Sequence, residues 1–100
     1  TKGDRETGAG HLESYIHGGR IGVLLELRCE TDFVARGDLF RELARGIAML
    51  VSATDPRTVE ELMAQPYVRD ESITIEDLIK GIVAKTGENI RIARFARFAL

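Results

Sequence analysis

The sequence of 100 residues has no tryptophan, one cysteine, two prolines and only three lysines. Because a single cysteine cannot form an internal disulfide, the fold has to rely on its hydrophobic core, and the chain suits a reducing compartment. No apolar run approaches the roughly 20 residues of a membrane-spanning helix. The net charge of −2 provides no basic field for nucleic acid or anionic lipid. Membrane-spanning, disulfide-rich and strongly basic classes of protein are therefore not predicted.

What is present is the composition of a globular domain. Hydrophobic residues make up 44% of the chain and charged residues 30%, which are ordinary values. A chain of this length corresponds to one domain. We expect residues 12–100 to form that domain, and residues 1–11, which are polar and rich in glycine, to form a flexible N-terminal segment or linker.

Two extended segments around Gly18-Gly19 predict a β-hairpin, since paired glycines supply the positive φ of a tight turn. The first strand is predicted at residues 12–17 and the second at residues 20–28. Apolar side chains alternate along the second strand and so share one face of a sheet. They are Ile21, Val23, Leu25 and Leu27.

Three segments have the three- and four-residue apolar spacing of amphipathic helices. The first, of about four turns, follows Asp38, and the second follows Asp55; we expect each aspartate to be an N-cap. The third follows Thr74, which opens a capping box, and ends at Gly87. Residues 67–72, between the second and third helices, are expected to form a loop.

Residues 89–100 predict a final strand whose apolar residues do not alternate cleanly. Ile92 and Phe98 share one parity and Phe95 has the other. Either a β-bulge shifts the phase, or helices cover one face of the sheet and a partner covers the other. The predicted fold class is α+β, a three-stranded antiparallel sheet with two to three helices packed on one face.

No set of side chains points to catalysis or to a bound small molecule. The soft metal ligands are Cys29, His11 and His17, and their spacing matches no structural zinc pattern. Nothing marks an oxyanion hole near Cys29, which we interpret as a small hydrophobic residue at a strand end. We expect no catalytic residue, no metal and no cofactor.

The final strand contains both arginines and phenylalanines, which permits an RNA-binding interpretation in which bases stack on exposed rings. Alternatively the rings belong to the core and the arginines to a solvated edge, and the acidic balance of the chain favours this interpretation. Direct nucleic-acid binding is therefore not expected. The residues concerned are Arg91, Arg94, Phe95, Arg97 and Phe98.

Residues 29–36 lie on the connection between the second strand and the first helix, and connections often carry recognition residues. Asp32 and Phe33 stand out there as a polar and an aromatic side chain next to each other. They can serve recognition, or Asp32 can cap a turn while Phe33 fills the core. The residues alone leave both interpretations open.

Three segments in the same order along the chain resemble elongation factor Ts. They read SYIHGGRIGVL at residues 14–24, CETDFVAR at residues 29–36 and KTGENIRIARF at residues 85–95. The resemblance implies a translation factor that is not an enzyme. It would promote guanine-nucleotide exchange by binding elongation factor Tu in its GDP-bound or nucleotide-free form.

The resemblance also implies a site. Phe33 would wedge into the GTPase domain of the partner near its magnesium and phosphates, Asp32 would join the same contact, and His17 would touch another domain. At Thr86 the family often has isoleucine instead. The residues implied to bind the partner are Thr31, Asp32, Phe33, Val34, His17, Thr86 and Gly87.

The chain corresponds, by this resemblance, to a single lobe of the family's core, which would form a homodimer through its sheet. The implied location is the bacterial cytoplasm or, alternatively, the chloroplast stroma or mitochondrial matrix. Members normally begin with a small helical domain that none of these residues resembles, so we expect the lobe alone to exchange nucleotide less well. A non-exchanging interaction or ribosome-associated domain of the same fold, and an RNA-binding α+β domain, are the alternative functions.

Overall fold

The computed structural model describes residues 5–100. Its elements, in chain order, are β1 (Ala9–His17), β2 (Ile21–Cys29), α1 (Asp32–Ala35), α2 (Asp38–Thr54), α3 (Val59–Met63), β3 (Pro66–Tyr67), β4 (Asp70–Thr74), α4 (Ile75–Thr86) and β5 (Arg91–Ala99).

The main sheet has the strand order β1-β2-β5, and both pairs are antiparallel. The hairpin of β1 and β2 turns at Gly18 and Gly19, whose φ angles of 59° and 69° are those that glycine adopts without strain. The predicted α+β class and three-stranded antiparallel sheet are confirmed. Within residues 5–100 none of the helices is long and apolar enough to cross a membrane.

The core lies between one face of this sheet and the helices. Helix α2 packs across β1 and β2, while α4 packs against α2 and α3. Leu25 and Leu27 of β2 are buried there with Phe40 and Ile47 of α2 and Ile79 of α4. Residues 5–100 contain four helices where two to three were expected, because α1 is a single turn that is too short to show a helical period.

Two predicted helix caps are wrong. Asp38 is the first residue of α2, and Gly37 takes the N-cap position without a side-chain hydrogen bond. Asp55 ends α2 with a left-handed φ of 49°, a conformation that aspartate tolerates better than most residues. Thr58 caps α3 instead, its hydroxyl accepting from the Glu61 amide. The capping box of Thr74 is confirmed.

The predicted loop at residues 67–72 is also wrong, because β3 and β4 form a small antiparallel hairpin there. Tyr67 packs against the core and against Gly46 of α2. A Cβ atom at Gly46 would lie 3.3 Å from the Tyr67 hydroxyl oxygen, so this glycine leaves room for the ring. The contact secures the hairpin against α2.

A β-bulge explains the mixed parity of β5. Arg94 pairs with Glu26 and Ile92 pairs with Leu27, which leaves Ala93 as an extra residue. Ile92 and Phe95 consequently both turn inward, and Phe98 turns outward.

Strand β1 begins at Ala9, three residues before the predicted start of the first strand at residue 12. Residues 1–4, which belong to the expected flexible segment 1–11, lie outside the described residues. The division into residues 1–11 and 12–100 therefore stays a prediction.

Candidate functional site

The connection after β2 is anchored by Cys29. Its side chain is buried and its thiol donates to the carbonyl oxygen of Thr31 at 3.3 Å. Burial raises the pKa of the Cys29 thiol, and the negative charge of Glu88 acts in the same direction. Cys29 is the last residue of β2 and belongs to the buried core, which is the environment expected for a small hydrophobic residue at a strand end.

Residues 31–34, called here the recognition turn, follow directly. The Thr31 hydroxyl accepts from the Val34 amide at 3.3 Å and so caps α1. Val34 is half-buried and packs against the core. Asp32 and Phe33 project outward, and the ring of Phe33 is 88% exposed. The interpretation of Phe33 as a core residue with Asp32 as the cap is therefore wrong.

The connection between α4 and β5 lies beside this turn. Gly87 ends α4 with a φ of 74°, and its amide donates to Val83 at 2.8 Å. The Thr86 hydroxyl donates to the carbonyl oxygen of Ile82 at 2.9 Å and accepts from the Glu88 amide at 3.3 Å. Both predicted residues, Thr86 and Gly87, thus have roles in ending the helix.

A shallow groove of about 590 Å³ joins the two connections. Phe33, Val34 and Thr86 line it, together with Leu39 of α2. The structure therefore brings Phe33 and Val34 of one predicted segment and Thr86 of the other to one surface, whereas Thr31, Asp32 and Gly87 do not line the groove. Leu39, which is 39% exposed, was not predicted, because its spacing fits the buried face of α2.

Glu30 and Glu88, which we call the carboxylate clamp, link the connection after β2 to the connection between α4 and β5. Glu88 Oε1 accepts from the amides of Glu30 and Thr31, each at 3.1 Å, and Glu88 Oε2 accepts from the Thr31 hydroxyl at 2.7 Å. Glu30 Oε2 in turn accepts from the Asn89 amide. Sequence reasoning did not identify either residue as functional, since nothing in a local pattern tells which amide a glutamate will meet.

His17 lies away from this surface. It sits at the turn end of β1, whereas the recognition turn follows Cys29, which pairs with Ala9 at the other end of the hairpin. The nine residues of β1 separate the two by about 26 Å. His17 Nδ1 lies 3.0 Å from the Tyr15 hydroxyl, and both residues line a separate cavity of about 370 Å³.

The outward face of the sheet carries a third surface. Its apolar patch is defined by exposed side chains on the outward face of the three strands. They are Leu12, Ile16, Leu24 and Phe98. Opposite Leu12 on the neighbouring strand, Glu26 accepts from both Arg94 and Arg28 at 2.6 Å.

The arginines of β5 are engaged within the chain. Arg94 binds Glu26, Arg97 donates twice to the carbonyl oxygen of Ser52 at 3.1 Å, and Arg91 donates to the Thr7 hydroxyl at 2.8 Å. Since these contacts compete with phosphate binding, the RNA-binding interpretation gains no support. Within residues 5–100, no three acidic, histidine or cysteine side chains lie close enough together to hold a metal ion.

An exposed aromatic ring on a capped turn, beside an apolar groove, is typical of a small α+β protein-interaction domain. The family model described as "Elongation factor TS" matches residues 30–100. This chain belongs to that family, which confirms the resemblance seen in the sequence.

Individual relatives agree with the family match. Elongation factor Ts of Nostoc sp. is 45% identical over 100 residues, which cover 99% of this chain and 31% of the relative. The proteins of the same name from Picosynechococcus sp. and Rippkaea orientalis are 39% and 38% identical over 146 residues, covering 99% of this chain and 67% and 59% of the relatives. The chain thus spans about a third to two thirds of the length of these relatives.

The 146 aligned residues of the Picosynechococcus protein exceed the 100 of this chain by 46. That relative therefore contains additional residues inside the aligned span. The Nostoc alignment covers only 100 residues. The matching part of the Nostoc protein therefore does not contain a comparable number of additional residues.

Proposed function

We propose that this chain is a non-enzymatic translation elongation factor domain that promotes guanine-nucleotide exchange on elongation factor Tu, with Phe33 as the wedge. The observation that carries the proposal is the 88% exposure of the Phe33 ring in a chain of this family. A large apolar ring left in water costs free energy unless a partner covers it. Its exposure, together with its place beside the groove in a segment that resembles the family, therefore supports a binding role for Phe33 rather than a packing role.

The setting of Phe33 suits a wedge. An aromatic ring has few rotatable bonds, buries a large apolar area and needs no hydrogen bond. The Thr31 cap and the core contact of Val34 fix the backbone on both sides of it. Because the turn is ordered before binding, less conformational entropy is lost on association.

Exchange follows from linkage. A factor that binds the nucleotide-free partner better than the GDP-bound partner must, by reciprocity, weaken GDP by the same ratio. A ring inserted near the magnesium site of the partner disturbs the ligands of a charge that holds the phosphates. Asp32, next to Phe33, belongs to the same contact.

The other site residues divide into two groups. Thr86 and Gly87 extend the contact, since Thr86 lines the same groove as Phe33. His17, about 26 Å away, serves a second domain of the partner. Two contacts so far apart on one rigid sheet would let the lobe hold the partner while Phe33 acts.

The test is release of labelled GDP from elongation factor Tu with this chain in excess. We expect the chain to accelerate release, and Phe33→Ala to reduce the acceleration about 30-fold, as for loss of a hot-spot residue of about 2 kcal/mol. Leu100→Ala is the control, because Leu100 is 90% exposed and lies outside the groove.

Two results would contradict the proposal in different ways. Binding of the partner without faster GDP release would favour the non-exchanging interaction domain. Equal activity of Phe33→Ala and the unaltered chain would reject the wedge.

We further propose a homodimer formed by the apolar patch. These side chains lie on the sheet face opposite the helices, where Phe98 is 80% exposed. Phe98 and Ile16 flank Gly22 on either side, and the Ile16 side chain lies over this glycine. The two exposed apolar side chains therefore lie close together at the part of the face that a second sheet would cover.

A further inference from the structure

The carboxylate clamp joins two connections that are far apart in sequence. Glu30 belongs to the connection after β2 and Glu88 to the connection before β5, and each side chain accepts from backbone amides of the other connection. Arg5 adds a cation, its guanidinium lying 3.4 Å from Glu30 Oε1 and donating to the Gly87 carbonyl oxygen at 3.4 Å. The arrangement is reciprocal.

These are unusual places for glutamate side chains. The Glu30 side chain is only 13% exposed, and Glu88 is half-buried. Moving a carboxylate out of water and fixing its rotamer is unfavourable unless charge-assisted hydrogen bonds replace the lost hydration. The clamp provides such bonds from backbone amides and from the Thr31 hydroxyl of the two connections, and Arg5 adds an ion pair to Glu30.

The clamp acts on Phe33 through Thr31. The Thr31 hydroxyl donates to Glu88 Oε2 and accepts from the Val34 amide. One hydroxyl therefore connects Glu88 to the first turn of α1. Because α1 has four residues, it is too short to be stable by itself, and the direction of Phe33 depends on this anchor.

We propose that Glu88, with Glu30 as its counterpart, is a positioning residue that presets the recognition turn and thereby the direction of the Phe33 ring. The proposal rests on the exchange function proposed above and deepens it. The residues after Gly87 serve the wedge from within the chain, without having to touch the partner.

Two substitutions at position 88 separate positioning from simple damage. Glu88→Ala removes all three acceptor contacts to Glu30 and Thr31. Glu88→Gln keeps an oxygen that can accept from both backbone amides and replaces the charged acceptor of the Thr31 hydroxyl by an amide. Glu71→Gln, which changes an exposed glutamate of β4, is the matched control.

Two measurements are made on each variant. The first is GDP release from elongation factor Tu against the concentration of the chain, which gives the maximal acceleration and the half-saturating concentration. The second is amide hydrogen exchange in the free chain by nuclear magnetic resonance. The amides of Glu30 and Thr31 report the clamp, and the amide of Leu25 in β2 reports global opening.

We expect Glu88→Ala to lower the maximal acceleration about tenfold and to speed exchange at the Thr31 amide by a similar factor. Glu88→Gln should fall between Glu88→Ala and the unaltered chain in both measurements. Leu25 exchange should speed up by no more than exchange at the Thr31 amide does, and Glu71→Gln should behave as the unaltered chain does.

The two measurements show which part of the proposal fails: the positioning role of Glu88, its link to Phe33 or the exchange function itself. Unchanged exchange at the Glu30 and Thr31 amides in Glu88→Ala would overturn the positioning role, whatever happens to GDP. Faster amide exchange with undiminished acceleration of GDP release would overturn the link to Phe33. If the unaltered chain fails to accelerate GDP release, the exchange function itself is wrong, and the amide measurement still decides whether Glu88 holds the turn.

Discussion

Phe33 and Phe40 are the same residue type in opposite environments, 88% and 1% exposed. Phe40 fills the core from α2, whereas Phe33 projects from α1. Because the two residues are chemically identical, their different exposure indicates that Phe40 stabilises the fold and that Phe33 is available for binding. Truncation of Phe40 would destabilise the fold by about 3–5 kcal/mol, while truncation of Phe33 removes a ring that contributes little to it.

Substitution of single glycines by alanine tests whether the backbone leaves room for a side chain at those positions. A Cβ atom at Gly10 would lie 2.6 Å from the carbonyl oxygen of Leu27 and 3.2 Å from the Arg28 Cα. Since both neighbours are backbone of the paired strand, they cannot move without opening the β1–β2 pair. We expect Gly10→Ala to lower the free energy of unfolding by about 1–3 kcal/mol, measured by urea denaturation.

Gly81→Ala is the matched substitution with the opposite expectation. Gly81 lies in the exposed part of α4, and a Cβ atom there meets nothing within 4 Å. Alanine should therefore raise the free energy of unfolding by about 0.5–1 kcal/mol. If Gly10→Ala raised the free energy of unfolding as Gly81→Ala is expected to do, the close contact of β1 with β2 at Gly10 would be wrong.

Among the elements, the β2–β5 pair carries a titratable link. Glu26 and Arg94 are directly opposite each other, and Arg94, then Arg28, lower the pKa of Glu26 below its ordinary value by hydrogen bonds to the carboxylate. A lowered folded-state pKa means that the stabilisation is present above the unfolded value. It is lost as the pH falls from about 4.3 through the folded value.

We therefore expect the unfolding free energy to decline with acid in that window, and Glu26→Gln to make the decline shallower. The measurement is chemical denaturation between neutral and acid pH. Glu71→Gln serves again as the control, since it changes an exposed side chain of β4. An identical pH profile for Glu26→Gln and the unaltered chain would show that this cross-strand link does not contribute.

Elements with a strong local signal could be predicted from the sequence. The Gly18-Gly19 hairpin, the long α2 and the box-capped α4 each follow from periodicity or from turn and cap residues close together. The actual N-caps, Gly37 and Thr58, could not be predicted. Gly37 has no side chain that could mark a cap, and Asp55-Pro56 and Thr58 both resemble helix starts, so that only packing decides between them. The hairpin at β3 and β4 depends on the contact of Tyr67 with Gly46, which no local pattern contains.

The candidate site was predictable only where its residues lie in short sequence motifs, and not where it depends on contacts between distant residues. The resemblance located residues 31–34 and 86–87, and the alternative interpretation of Phe33 could be rejected only from its exposure. Glu30 and Glu88 meet across 58 positions, a separation at which composition and periodicity carry no information.

For the whole molecule, the apolar patch predicts self-association. Leu24 is on the central strand, between Ser14 and Ala96. A buried, unpaired carboxylate at this position would be costly, so we expect Leu24→Glu to weaken the homodimer at least about 100-fold, measured by sedimentation velocity over a range of concentrations. Val68→Glu, at an exposed apolar position outside the patch, should dimerise as the unaltered chain does.

A chain that sediments as a monomer at every concentration would reject the homodimer. It would leave the recognition turn unaffected, since the turn and the apolar patch lie on different surfaces.

The carboxylate clamp also affects the order in which parts of the chain can fold during synthesis. A polypeptide emerges from the ribosome starting at its N-terminus, so β1, β2 and α1 are available for folding while residue 88 is still to be added. Until then the amides of Glu30 and Thr31 lack their carboxylate acceptor, and the short α1 lacks the part of its anchoring that Glu88 provides. A product truncated before residue 88 would therefore display Phe33 without its preset direction, and competence for the partner would arise only with the last strand.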